Sequence, residues 1–433
     1  MDSELTVSPL ARPLGFVAQP GRTTVLVILT LVYVVNYLDR QVLSILLPQI
    51  KAEFHLSDSA LGLLSGTSFA VVYATLGVPL AFLADRMNRK RIIAASLTMF
   101  SVMTVLCGWV GQFWHLLLAR VGTGIGEAGT APAINSIIAD LYPHGERATA
   151  LAFYSAGLNV GLLLAFFGGG WIAQHYGWRD AFLAAGLPGL VLVFVVMFMV
   201  KEPRRGHADG YDDVHPAPQL FEVARRLWSQ RSFRYIMLGA SFSAFGGNAG
   251  VVFVPSFLAR THHLTPIQIG LLLSLLIGVF GFAGTLLAGV FSDRLSKRDV
   301  RWNMFVPAIA QAAAIPFIPV FYLSSNVPLA FAAAIFPALL SASYLGPAFA
   351  MTQGLVPLRM RATAVALLLF VMNMIGQGMG PQLVGILSDV LRPSLGDDSL
   401  RWALMSSAIT GSLAAWCYWR ASRTLKSDLA RAA

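Results

Sequence analysis

The chain has 433 residues, of which 56% are hydrophobic and 12% are charged, and its formal net charge is +10. A soluble globular domain carries about a quarter of charged residues, so this composition excludes that class. The 39 glycines and 22 prolines are spread through apolar stretches, which disfavours an outer-membrane β-barrel of short alternating strands. The two cysteines, Cys107 and Cys417, lie in separate apolar runs and predict neither a disulfide framework nor a thiolate metal site.

Long apolar stretches alternate with charged clusters along the chain. A bilayer crossing needs about 20 apolar residues, and the length of the chain accommodates twelve crossings. The predicted transmembrane helices cover residues 23–50, 58–86, 90–112, 114–142, 146–174, 179–200, 231–260, 266–294, 299–323, 328–356, 360–391 and 399–422. The predicted fold class is therefore an all-α membrane protein with twelve transmembrane helices.

The segment 201–230 interrupts this pattern with charged residues, prolines and a basic amphipathic stretch around Arg225 and Arg226. It predicts a linker with an amphipathic helix between two six-helix bundles. The first apolar run contains Asp39 and Arg40, so we interpret it as a retained helix and expect no cleavable signal before it. The predicted order is a tail, a bundle, the linker, a second bundle and a tail, over residues 1–22, 23–200, 201–230, 231–422 and 423–433.

Basic residues are distributed unequally between the two sides of the predicted bundle. If both termini are cytoplasmic, 24 of the 31 lysines and arginines lie in cytoplasmic segments and five lie on the opposite side. The positive-inside rule therefore predicts cytoplasmic termini in a cell inner (plasma) membrane. This topology, together with attraction to anionic lipid headgroups, explains the net charge. Because no soluble segment carries a basic stripe with interleaved aromatic residues, we expect no nucleic-acid partner.

The two predicted halves contain matched sequence motifs. Residues 84–86 (ADR) end the second helix, and residues 292–294 (SDR) end the eighth. The tetrapeptide Arg-Ala-Thr-Ala opens the fifth helix at Arg147 and the eleventh at Arg361. Repeated halves are how secondary transporters build a central cavity that can face either side of the membrane.

The segment 85–91 (DRMNRKR) after the second helix resembles the loop motif of the major facilitator superfamily. Within that superfamily, residues 36–40 (NYLDR), Asn88 and the run 120–128 are similar to the Spinster family. Ala81 and Asn88 stand where the superfamily motif usually has glycine, and Asn88 is similar to what Spinster-like members carry. The resemblance implies two pseudo-symmetric halves of six helices. Since eukaryotic Spinster-like proteins move sphingosine-1-phosphate or lysophospholipids, it also implies an amphipathic, lipid-like substrate.

Four ionisable residues lie inside the predicted first and fourth helices: Asp39, Arg40, Arg120 and Glu127. A charge at the bilayer centre costs about 2.5–3.5 kcal/mol on insertion scales, so we expect the four to face the protein interior and to pair. Helical spacing puts both acids roughly 18 Å from the outer ends of their helices, in one layer of a central cavity, with Arg120 nearer the outside. We hypothesise that the acids exchange protons with alternate sides while Arg40 holds whichever is ionised. The alternative is a permanently ionised set of pairs that only joins the two helices.

The predicted seventh helix has no carboxylate at the position that matches Asp39, so we expect the second half to contribute neutral recognition groups. The candidate substrate-cavity residues are polar or adaptable apolar side chains of the first, seventh and eleventh helices, namely Asn36, Tyr37, Asn248, Asn373, Gln377 and Met372. Alternatively, the amides form hydrogen bonds between helices.

The resemblance also implies a cytoplasmic gate at the ends of the second and eighth helices. There Asp85 and Asp293 would lie against the positive N-terminal ends of the eleventh and fifth helices, where Arg361 and Arg147 could add ion pairs. The alternative is that the basic residues are solvated anchors that follow the positive-inside rule. The candidate gate residues, all of them charged, are Asp85, Arg86, Arg89, Arg147, Asp293, Arg294 and Arg361.

The predicted function is a proton-coupled secondary transporter that moves an amphipathic, lipid-like molecule by alternating access, as a monomer surrounded by membrane lipids. Movement of organic anions or of multiple drugs is the alternative within the fold, and a membrane receptor without transport is the alternative of another class. No HExxH or GxSxG motif occurs, so we expect neither enzymatic activity nor a cofactor. The glycine run 122–129 predicts close helix packing, and His262 and His263 lack further ligands for a metal.

Overall fold

A computed structural model of the protein describes residues 21–203, 220–357 and 360–432. The regular secondary structure of these residues is helical. The first half contains α1 (Arg22–Phe54), α2 (58–86), α3 (Arg89–Cys107), α4 (113–141), α5 (144–175) and α6 (Trp178–Met199). The second half contains α7 (Arg231–Thr261), α8 (Pro266–Ser296), α9 (Trp302–Leu323), α10 (Val327–Gly354), α11 (361–395) and α12 (399–432). The described residues thus form twelve long helical segments, six in each half, which confirms the predicted all-α fold class.

Ten helical segments of the described residues are long and apolar enough to cross a membrane. The last of these, Thr363–Arg431, joins α11 to α12, and α4 is not among them because it is interrupted at Gly129. A linker helix, Leu220–Ser229, lies between the halves and buries Val223 and Leu227. The rest of the predicted linker, 204–219, and nearly all of the predicted first tail lie outside the described residues.

The last helix is longer than the sequence indicates. The apolar pattern predicts that it ends at residue 422, whereas α12 continues to Ala432. Leu425 is fully buried in the core of the second half, and the carboxylate of Asp428 accepts hydrogen bonds from the backbone and side chain of Ser232 at the start of α7. These contacts extend the helix beyond the apolar stretch.

Side-chain caps mark several helix starts. Ser57 Oγ accepts the Ala60 N–H before α2, and Asn88 Oδ1 accepts the Arg91 N–H before α3. Thr265 and Gln268 form a reciprocal capping box at the start of α8. Such caps satisfy backbone donors that have no partner within the helix, and they set where each helix begins.

π-helical turns occur at matched places in the two halves. They span Leu63–Thr67 in α2, Leu164–Gly168 in α5, Ser274–Gly281 in α8 and Met374–Met379 in α11. The turns of α2 and α8, and those of α5 and α11, begin about 210 residues apart. The repeated halves seen in the sequence are therefore also repeated in backbone geometry.

The two halves are in close backbone contact near one end of the bundle. We call the end that carries Arg22 and Lys426 the terminus face, and the opposite end, which carries Lys51 and Arg260, the far face. A Cβ added to Gly385 would lie 2.4 Å from the carbonyl oxygen of Asp58, which brings α11 against α2. One added to Gly270 would lie 2.2 Å from the carbonyl oxygen of Phe166, which brings α8 against α5. Small residues thus join the halves toward the far face.

The glycine run of α4 packs against α3. A Cβ added to Gly126 would lie 2.6 Å from the backbone nitrogen of Phe100, and one added to Gly122 would lie 2.7 Å from the sulfur of Met103. The close helix packing predicted for this run is confirmed. It positions Arg120 and Glu127, which belong to the same helix.

We expect Gly126→Ala to lower the midpoint of thermal unfolding in detergent, because the new methyl group would press on the backbone of α3. Overpacking of this kind typically costs about 1–3 kcal/mol. Gly289→Ala is the matched control, since no atom lies within 4 Å of its added Cβ. That change should be neutral or stabilising by up to about 1 kcal/mol, the helix preference of alanine. Equal midpoints for the two variants would contradict the packing described.

Candidate functional site

A polar cavity of about 350 Å³ lies inside the first half. Both candidate cavity residues of α1, Asn36 and Tyr37, line it, and so do two of the four intramembrane charges, Arg40 and Glu127. Sequence reasoning missed the further aromatic residues of its wall. Their regular helical spacing does not distinguish them from core residues. The remaining lining residues are Tyr33, Tyr73, Thr130, Ala131 and Tyr154.

The four intramembrane charges form two separate ion pairs. Arg40 Nη2 lies 2.7 Å from Glu127 Oε1, and Arg120 Nη1 lies 3.6 Å from Asp39 Oδ1. Asp39 is 2% exposed and does not line the polar cavity. In this conformation, therefore, the two acids lie in different surroundings and pair with different arginines, whereas the sequence predicted one shared cavity layer and one shared arginine. Successive residues of a helix point about 100° apart, so Asp39 and Arg40 face different neighbours.

Hydrogen bonding within this group is incomplete. The 3.6 Å distance between Asp39 and Arg120 is too long for a hydrogen bond. Among the described residues, Asp39 Oδ1, Glu127 Oε1 and the Nε atoms of Arg40 and Arg120 lack an aligned hydrogen-bond partner. A buried polar network that is only partly satisfied costs stability. A role in helix packing alone therefore does not explain why ionisable residues occupy these four positions.

Aromatic rings hold the guanidinium of Arg40 at the cavity wall. Its central carbon lies 4.5 Å from the ring centre of Phe69 and 5.4 Å from those of Tyr37 and Tyr73. Cation–π contacts of this kind favour the charged side chain in a place that excludes water. Arg40 is thereby held at the cavity wall beside the carboxylate of Glu127.

A second, largely apolar cleft of about 990 Å³ lies inside the second half, between α7, α8, α9, α10 and α12. Gly246, Gly247 and Gly250 of α7 open its wall. Its polar lining includes Gln311, whose Nε2 donates to Ser243 Oγ at 3.0 Å. The apolar lining residues include Phe242, Val251, Val254, Leu273, Leu276, Ile277, Phe321 and Ala338.

The candidate cavity residues of the second half line neither cavity. Asn248 donates to the carbonyl oxygen of Ala244 in its own helix at 2.8 Å. Met372 is 7% exposed and packs in the core of the second half, because its face of α11 turns toward α7. Asn373 and Gln377 are half-buried in and beside the π-helical turn of α11. In this half, small residues of α7 shape the cleft instead of the predicted amides of α7 and α11.

A charged cluster joins the halves at the far face, and sequence reasoning did not find it. The fully buried carboxylate of Asp58 accepts hydrogen bonds from Lys51 at 2.5 Å and from both Nη atoms of Arg260 at 2.5 and 2.8 Å. Ser388 Oγ donates to it at 2.7 Å. Asp389 in turn accepts the backbone N–H groups of Asp58 and Ser59. The far face is therefore closed by ion pairs between α1, α2 and α7 and by hydrogen bonds between α2 and α11.

At the terminus face, the described contacts of the predicted gate residues lie within single halves, and the remaining described gate residues are exposed. Arg147 donates to the carbonyl oxygens of Ala139 and Tyr142 in its own half. Arg86 is exposed at this face. Among the described residues, Asp293, Arg294 and Arg361 are exposed and form no ion pair. The side chain of Asp85 lies outside what the structure describes, so its predicted role stays a prediction.

Arg89, also a candidate gate residue, is buried within the first half. It is 1% exposed, pairs with Asp140 of α4 and donates its Nε to Glu202 at 3.0 Å. Glu202 also accepts the N–H groups of Arg89 and Lys90 at the start of α3. Although partial burial favours its neutral form, these hydrogen bonds hold the pKa of Glu202 below its ordinary value. Arg89 therefore joins α3, α4 and the end of α6, and it is not a solvated anchor.

Two six-helix halves closed against each other at one face, with a charged pocket buried at mid-helix, define a multi-pass membrane transporter. The chain matches the Major Facilitator Superfamily over residues 29–381 and again over residues 236–432. It belongs to that superfamily, and within it to the Spinster-like proteins. Because the superfamily consists of transporters, this protein is not an enzyme.

Several known proteins are similar in sequence to this chain over most of its length. An MFS-type efflux pump of Mycolicibacterium smegmatis is 32% identical over 93% of each chain. Protein spinster homolog 1 of Xenopus tropicalis is 30% identical over 94% of this chain and 82% of its own length. The sphingosine-1-phosphate transporter SPNS2 of Mus musculus is 28% identical over 88% of this chain and 72% of its own.

A solved structure has the same fold. It is a bacterial homologue of the human lysosomal transporter Spinster in an inward-facing and unoccupied conformation. The two structures superpose with a TM-score of 0.85 at 31% identity, over 95% of this chain and 99% of that one.

We expect Asp58→Asn to open the far face. Breaking a buried ion pair by removing one partner costs about 3–5 kcal/mol. This cost is close to the roughly 5.5 kcal/mol that changes the ratio of open to closed conformers from 1:99 to 99:1. Spin labels at the exposed positions Ala52 and His263, with Cys107 and Cys417 replaced by serine, should report longer distances by electron paramagnetic resonance. Glu53→Gln removes an exposed pair with Arg179 inside one half and should leave the distances unchanged. Unaltered distances in Asp58→Asn would contradict the role of the cluster.

Proposed function

We propose that this transporter is proton-coupled and moves an amphipathic, lipid-like organic molecule across the cell inner membrane by alternating access. The observation that carries the proposal is the buried Arg40–Glu127 pair, whose two members both line the polar cavity. An ionisable pair inside a membrane is costly, and such groups commonly mark substrate pathways and proton relays. The pair is therefore the point at which a proton and a substrate can act on the same charge.

The proposed orientation follows from the basic residues. The terminus face carries most lysines and arginines, so the positive-inside rule assigns it to the cytoplasm. With the far face closed by the Asp58 cluster, this conformation then corresponds to an inward-facing state. The similar bacterial structure is described as inward-facing, which supports this interpretation.

The coupling step involves competition for one guanidinium. While Glu127 is ionised, its carboxylate neutralises Arg40 at 2.7 Å. Protonation of Glu127 removes that charge and leaves the guanidinium free to pair with an anionic group of the substrate in the cavity. Release of the proton restores the internal pair and weakens the hold on the substrate. Asp39, paired with Arg120 away from the cavity, would exchange its proton only in the conformation that opens the other side.

The lipid-like substrate is inferred from two unlike cavities. The polar cavity offers one cation and four tyrosines, which suit an anionic headgroup. The apolar cleft of the second half offers a lining of aliphatic and aromatic side chains, which suits a hydrocarbon chain. The relative named as a sphingosine-1-phosphate transporter moves a molecule with this division of polarity, which supports the inference.

A second candidate substrate class is favoured by one observation. The efflux pump of Mycolicibacterium smegmatis shares 32% identity with this chain over 93% of both. An apolar cleft in one half and a cation in the cavity of the other would also suit small organic anions or drugs. The two candidates differ in the length of apolar chain that binding requires.

We expect Glu127→Gln to abolish the stimulation of transport by a pH gradient, because glutamine cannot exchange a proton. In proteoliposomes, uptake with a gradient should fall to the rate measured without one. Asp39→Asn should also lose the stimulation if both acids take part in the cycle. Glu53→Gln makes the same chemical change at an exposed far-face pair and should keep it. Full gradient dependence in both Glu127→Gln and Asp39→Asn would disprove proton coupling through this site.

We expect ligands with a long apolar chain and an anionic headgroup to raise the thermal unfolding midpoint of the purified protein, since a ligand stabilises the state that binds it. A series of lysophospholipids with one headgroup and increasing chain length should show increasing stabilisation. Arg40→Gln should reduce the shift for anionic headgroups and not for neutral ones. Stabilisation by short organic anions, with no dependence on chain length, would instead support the second candidate.

A further inference from the structure

The outer surface of α7 and α12 near the terminus face carries aromatic and basic side chains together. The two helices are held side by side there, because Asp428 accepts hydrogen bonds from Ser232 and the ring of Tyr418 lies against Gly239. Arg420 lies 21 residues after the start of α12, or about 31 Å along the helix. The hydrocarbon core is about 30 Å thick, so this surface lies at the level of lipid headgroups.

We call this surface the Arg–Trp patch and define it by Tyr235, Trp416, Trp419, Arg420 and Arg423. The four residues of α12 are spaced so that they share one face of the helix. The guanidinium carbon of Arg420 lies 5.7 Å from the ring centre of Tyr235 and 5.9 Å from that of Trp416. That of Arg423 lies 4.1 Å from the ring centre of Trp419. The two arginines are therefore held over aromatic rings and not extended into solvent.

The charges of the patch are not neutralised within the described part of the chain. Arg420 and Arg423 are exposed, and no described carboxylate lies within 4.0 Å of either. Asp428, one turn further on, is engaged by Ser232. Arg231 is exposed and lies one turn before Tyr235 on the same face of α7, which adds positive charge. A guanidinium that stacks on a ring leaves its N–H edge free for a phosphate.

Apolar side chains continue the same face of α12 toward the middle of the membrane. Trp416 is 51% exposed, followed at one-turn intervals by Leu413 at 41% and Ile409 at 65%. Tryptophan at the membrane interface and aliphatic residues above it are the surroundings of a lipid headgroup and its acyl chain. The surface is thus polar at the level of the headgroups and apolar toward the middle of the membrane, as a phospholipid is.

We propose that the Arg–Trp patch is a binding site for an anionic phospholipid. The phosphate pairs with Arg420 and Arg423, and an acyl chain lies along Leu413 and Ile409. Basic pockets between transmembrane helices recognise anionic headgroups by this combination of charge and apolar contact. The site lies on the outer surface of the second half, away from both cavities, and does not depend on the proposed transport cycle.

Native mass spectrometry of the full-length protein in detergent tests the proposal with phosphatidylglycerol and phosphatidylcholine of identical acyl chains. The wild type should bind phosphatidylglycerol more tightly. In R420Q/R423Q its affinity should fall about 30-fold, since each arginine near the headgroups contributes about fivefold. Affinity for phosphatidylcholine should stay the same. K297Q/R298Q is the control, because it removes two exposed charges from the terminus-face loop between α8 and α9.

Three results would overturn the proposal. These are equal binding of the two lipids by the wild type, undiminished phosphatidylglycerol binding in R420Q/R423Q, and an equal loss in K297Q/R298Q. If the double variant does not fold, R420Q and R423Q replace it, and each should lose about fivefold in affinity. R420K/R423K keeps the charge but not the planar fork, so its affinity should lie between those of the wild type and R420Q/R423Q.

Discussion

The structure depends on the cost of placing charge inside a membrane. Asp39, Arg40, Arg120 and Glu127 lie inside α1 and α4, where lipid offers no solvation. Each acid is therefore paired with an arginine of the other helix. The glycines of α4 pack this helix against α3 and α2, and this packing fixes the positions from which Arg120 and Glu127 reach their partners on α1. Helix packing in the first half is thus linked to the neutralisation of these charges.

Pairing alone does not make the two acids equivalent. Glu127 and Arg40 face a polar cavity, whereas Asp39 and Arg120 lie behind it at 1–2% exposure. Neighbouring positions on α1 consequently lie in different surroundings. In the proposed cycle, one carboxylate is accessible to substrate and protons in this conformation, and the other has to wait for a rearrangement of α1 and α4.

The two faces of the bundle are held in different ways. At the far face, glycines bring backbone against backbone, and Asp58 collects donors from both halves. At the terminus face, Arg147 and Arg89 bind within the first half, and Asp293 and Arg361 are exposed. The far-face contacts combine steric closeness with a single buried carboxylate. A change of charge or solvation at Asp58 would therefore be transmitted to α1, α2, α7 and α11 together.

The sequence by itself determined the helical fold class, the repeated halves and the four central charges. Hydropathy and charge depend on local composition, and lipid penalises every exception to them. Only the tertiary structure decided which arginine pairs with which acid, because that depends on helix rotation and not on spacing. It also decided that Met372 packs in the core, that Gly246 and Gly247 open a cleft, and that Asp58 meets Arg260 about 200 residues away. Such contacts join distant segments, and nothing in the local pattern of either segment specifies its partner.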